Sequence, residues 1–88
     1  MKKKVKDIQT IYDWAVDALN GNHSVSDYDI IHKCADVIED VPELEDLWRD
    51  LAFHINMWNC DTFEEMCEQA EVLIEVITGC LGEWLDKQ

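Results

Sequence analysis

Apolar residues return at every third or fourth position along almost the whole chain, and the breakers are few: Pro42 and glycines at 21, 79 and 82. That period belongs to amphipathic helices laying one stripe each on a shared core. The first helix is expected from about Lys6 to Asn20, with Ile8, Ile11, Tyr12, Ala15, Ala18 and Leu19 inward and Gly21 in the left-handed position after it. Ser26 is placed to cap a second helix, whose first turn holds Asp27 and Asp29 and whose inner face is Ile30, Ile31, Cys34, Ala35 and Ile38. Pro42 suits the first turn of a third, carrying Leu44, Leu47, Trp48, Leu51, Ala52 and Ile55, with Trp58 near its end. Asp61 to Glu64 reads as a capping box before a fourth helix. That helix has Phe63, Met66, Cys67, Ala70, Leu73, Ile74, Ile77, Cys80, Leu81 and Trp84 inward, and glycines 79 and 82 are expected to bend or fray its last turns. The fold class is all-α: a small compact bundle of about four helices. At 88 residues it is one domain, residues 1–88, with residues 1–6 as a basic N-terminal extension.

Charge is the abnormal quantity. Twenty acids face seven lysines and arginines, giving a net charge of −13. All the acids lie between Asp7 and Asp86, and Lys33 and Arg49 are the cations within that stretch. Direct nucleic-acid binding by this body is not expected, because neutralising phosphates needs cations. Nor is binding to an anionic membrane, on the same ground, and no run approaches the length of a transmembrane helix. The expected partner is basic and the expected location cytoplasmic.

The acids fall on helical stripes: Asp13 and Asp17 on the first helix, Asp29, Asp36, Glu39 and Asp40 on the second, and Glu43, Asp46 and Asp50 on the third. On the fourth, Asp61, Glu64, Glu65, Glu68, Glu71 and Glu75 climb in steps of three or four, about 4.5–6 Å each. Acid-to-base pairs at i,i+4 number two in the body, Asp29–Lys33 and Glu45–Arg49. Like-charged pairs at the same spacing oppose them, five of them being Asp13–Asp17, Asp36–Asp40, Asp46–Asp50, Glu64–Glu68 and Glu71–Glu75. At roughly 0.2–0.5 kcal/mol each these cost about 1–2.5 kcal/mol. That is appreciable in a domain whose stability is about 5 kcal/mol. Folding does not ask for these charges, so binding is the natural reason for them.

Catalytic chemistry finds no constellation. Phosphate loops, nucleophile elbows, paired zinc-binding histidines and calcium loops are all missing from the sequence. His32 and Cys34 point apart at i,i+2. Cys34, Cys67 and Cys80 fall on apolar faces, while Cys60 lies in a turn; none sits in metal-ligand spacing. No catalytic residue, metal or cofactor is expected, and an enzyme is not. Of the four tryptophans, Trp14 and Trp58 fall off the best inner stripes and are candidates for an oligomer contact.

The first half of the chain resembles the phage anti-restriction proteins of the Ocr type. The likeness rests on Ile11-Tyr12-Asp13 with Ala15 and Leu19, Ile31-His32-Lys33-Cys34-Ala35-Asp36, Val41-Pro42 and Leu51-Ala52. It covers roughly residues 10 to 52, with extra residues between Asp36 and Val41, and the C-terminal half is similar in character alone. The resemblance implies a homodimer whose carboxylates imitate phosphates and occupy the DNA cleft of a type I restriction-modification enzyme in the host cytoplasm. Two alternatives keep the same charges: a mimic aimed at CRISPR or DNA-repair proteins, and an acidic helical protein that covers a basic protein partner.

Overall fold

The computed structural model describes residues 2–22, 24–56 and 63–88. Its elements are α1 (Lys2–Leu19), α2 (Asp27–Ile38), a 3-10 turn (Pro42–Leu44), α3 (Glu45–Asn56) and α4 (Phe63–Asp86). The described residues form the small all-α bundle that the periodicity predicts, with no strand among them.

Each boundary has a local cause. At the end of α1 the Asn22 N–H donates to the Asp17 carbonyl at 2.8 Å and the Gly21 N–H to that of Ala18 at 3.1 Å. This Schellman pattern needs a left-handed residue, and Gly21 supplies it with φ +90°. Ser26 caps α2 through Oγ, which accepts from the Asp29 N–H at 3.2 Å. Val41 is extended, as a residue before proline must be, and Pro42 opens the 3-10 turn.

Three expectations are corrected. The first helix does not start near Lys6: α1 already begins at Lys2, since lysine is a good helix former and the stripe from Ile8 anchors the turns that follow. The third helix does not start directly at Pro42, because the tighter 3-10 turn intervenes. Nor do the glycines fray the last turns of α4, which runs to Asp86. At Gly82 the reason is packing: a Cβ there would lie 3.1 Å from the Tyr12 ring, so the bare backbone lets α1 approach α4. The cap residue of the expected capping box, Asp61, lies outside the described residues.

Tyr12 meets Gly82, while Ala18 and Leu19 share a recess with Ile74, so α1 and α4 run antiparallel. Trp14 lies beside the Asp29–Asp36 stretch, and Ala18 beside Asp27, so α2 returns antiparallel along α1. Ile8, Ile11, Ala15 and Ala18 of α1 are buried against Ile30, Ile31, Cys34, Val37 and Ile38 of α2 and Ala70, Ile74, Ile77 and Leu81 of α4. Val41, Leu44, Leu47 and Leu51 close one end of this core, and Trp14, Trp48 and Trp84 are half-buried against it. Leu19, expected inside, is 46 % exposed because the Schellman turn ends the helix there. The body measures 40 × 26 × 17 Å.

Candidate partner-binding surface

The carboxylates occupy the outside of this core. Asp13, Asp17, Asp29, Asp36, Glu39, Asp40, Glu43, Asp46, Asp50, Glu68, Glu71 and Glu75 are all exposed. On the helices the backbone periodicity puts them there, between apolar positions that face inward. Glu39 and Asp40, expected on the second helix, instead lie in the turn after α2, which ends at Ile38, and Glu43 lies in the 3-10 turn. Asp61 and the side chains of Glu64 and Glu65 lie outside the described residues.

The carboxylates are gathered where helices meet. Glu71 and Glu75 of α4 share a recess of about 280 Å³ with Asp27 of α2, floored by Ala18 and Ile74. Asp50 of α3 faces Glu68 of α4 across a second groove. Glu43 and Asp46 share a third with Glu83 and Lys87. Asp29 and Asp36 line a fourth beside Trp14. Asp27 and Glu83 therefore join the acidic surface although neither was selected from the sequence. Glu83 continues the α4 series two turns beyond Glu75, which is the signal that could have found it.

Compensating cations are few. Arg49 pairs with Glu45 at 2.9 Å and Lys87 with Glu83 at 3.7 Å, both on exposed helix faces. Such pairs contribute little. The expected partnership of Asp29 with Lys33 is not formed.

Other reactive groups are held quiet. Burial pushes the Cys34 thiol up to about 12, and Cys80 nearby adds to the effect. Cys80 is itself raised by burial and by the charges of Glu83 and Asp50. Neither supplies a thiolate at neutral pH. His54, 9 % exposed, is held below its ordinary value by burial and stays neutral there.

One feature of this surface was not selected from the sequence. Phe53 is 68 % exposed and Val72 58 %, and they face each other across the α3–α4 groove of about 500 Å³. Both fall off the inner stripes, so the periodicity gives no reason to select them. Trp14, one candidate for an oligomer contact, is half-buried against the core. Trp58, the other, lies outside the described residues. No described helix is long and apolar enough to cross a membrane.

Compared with known proteins, the chain matches no family model, no curated protein and no solved structure.

Proposed function

We propose that this protein is a DNA mimic of the phage anti-restriction kind, which occupies the DNA-binding cleft of a host defence enzyme, type I restriction-modification first among them. The observation that carries the reading is the placement of charge. Every candidate carboxylate whose side chain is described is exposed, on an apolar core, with like-charged neighbours retained at a cost to the helices. Steps of about 4.5–6 Å along a helix approximate a phosphate track, whose charges advance 3.4 Å per nucleotide along one strand. The 40 Å long axis corresponds to roughly one duplex turn of about 34–36 Å. No catalytic group, metal or cofactor enters: a basic cleft is filled by charge complementarity and fast, steered association in the host cytoplasm.

A longer track requires two copies, and the Phe53–Val72 face offers the seam. Across a two-fold axis the ring of Phe53 settles on Val72 of the partner subunit and the reverse contact forms with it. Asp50 and Glu68 stay at the wet rim. Phe53 and Val72 together offer an adjacent pair of exposed apolar side chains, which a second copy covers by burying each against its counterpart.

The test is competition. Inhibition should be competitive with DNA and should weaken steeply as salt rises through the physiological range. Charge reversal at Glu64, Glu68, Glu71 and Glu75 together should abolish most binding with helicity intact. Single neutralisations should cost about 1 kcal/mol or less each. One substitution that alone abolishes binding in a folded protein, or an enzyme that holds DNA and this protein together, overturns the reading. Capture of a single small basic protein in place of a DNA-binding enzyme would favour the covering role instead.

A further inference from the structure

We propose that the recess between α1 and α2 beside Trp14 is a subsite for an arginine side chain of the partner. The inference rests on the basic-partner reading above and adds a defined anchor to it. The recess holds about 420 Å³ and is lined by Trp14 and Val25 together with Asp29, His32, Lys33 and Asp36. Those last four are related by i,i+3 and i,i+4 spacings on α2, with His32 and Lys33 adjacent, and so share one side of the helix beside the tryptophan. Tyr28 and His32 stack one turn apart, with ring centroids at 4.1 Å, so α2 adds aromatic surface at the edge of the stripe.

The chemistry is that of a cation over an aromatic wall. An indole is the best of the aromatic faces for a cation. A guanidinium suits it better than an ammonium, because it is planar, stacks and is weakly hydrated. Asp29 and Asp36, seven residues apart, are about 10.5 Å apart along the helix, too far for one guanidinium to bridge. An arginine lying over Trp14 therefore pairs with one carboxylate, and the other receives a neighbouring basic residue. Lys33 stands between the two and forms no ion pair with either. Lys33 lines the same recess, so its positive charge opposes an incoming guanidinium.

The experiment titrates the full chain with hexa-arginine and hexa-lysine peptides at one ionic strength. Calorimetry reads affinity, and the indole N–H resonances, assigned by Trp14→Phe, read location. Hexa-arginine should bind about two- to five-fold more tightly than hexa-lysine and shift the Trp14 indole more than those of Trp48 and Trp84. Asp29→Asn with Asp36→Asn should remove the arginine preference. Lys33→Gln should tighten binding more than Arg49→Gln, although each removes one positive charge. Equal affinity for both peptides, shifts spread evenly over the indoles, or equal effects of the two charge removals would each overturn the subsite. No DNA-binding enzyme takes part, so loss of the subsite leaves the competition result standing. Failed competition with the peptide results intact removes the mimic reading alone.

Discussion

Gly79 and Gly82 stand three residues apart on α4 and meet different surroundings. Nothing lies within 4 Å of a Cβ at Gly79, whereas one at Gly82 meets the Tyr12 ring at 3.1 Å. Alanine at an open helical position gains up to about 1 kcal/mol over glycine. Gly79→Ala should therefore raise stability by about that amount in urea denaturation, and Gly82→Ala should gain clearly less, because the tyrosine must yield. The Cys34 thiol gives a second test at this scale. Its folded value of about 12 lies above the ordinary 9.0, so the folded chain keeps a proton that the unfolded chain releases. The associated stability is fully present below pH 9 and is lost as pH rises toward 12. Cys34→Ala should flatten the decline of unfolding free energy across that window. Residues also mark the limit of what the sequence discloses. Gly21 and Ser26 were legible because turn and cap chemistry is local. Gly82 was not, since its reason is a side chain seventy positions away in the chain.

At the scale of the element, helix type and inner face followed from periodicity, because the core stripe of each helix repeats within a few residues. The start of α1 and the 3-10 turn did not follow, since helix ends depend on small local balances. The acids were legible as exposed stripes but not as clusters, since what gathers Glu71 and Glu75 with Asp27 is the packing of α4 on α2. Helix α4 also sets two demands against each other. Glu71 and Glu75 repel across one turn, so Glu75→Gln should stabilise the fold by roughly 0.2–0.5 kcal/mol. If the mimic reading holds, the same substitution should weaken target binding. Thermal melts and a competition titration on one variant would reveal the opposite signs, and a fall in both would show that Glu75 has a structural role.

For the whole molecule, salt separates the two proposed associations. Target binding joins opposite charges and should weaken with salt. Self-association joins two copies, each of net charge −13, and should strengthen as repulsion is screened. Sedimentation equilibrium from low to physiological salt should show the dimer population rising. Phe53→Asp should hold the chain monomeric at unchanged helicity, because the side chain is exposed in the single copy. A dimer that survives this substitution places the seam elsewhere.

The apolar interior and the carboxylate exterior also bear on descent. No described carboxylate on the candidate surface is needed to fill the core, so an acid can move a turn along its helix without a folding defect to select against it. On the mimic reading proposed above, the outer pattern can be redrawn to suit a changed target while the inner one is preserved. A library that shuffles the exposed acids among exposed positions should then keep its cooperative melt in most members. One that shuffles Ile8, Ile31, Leu51, Ile77 and Leu81 with those acids should lose it in nearly all.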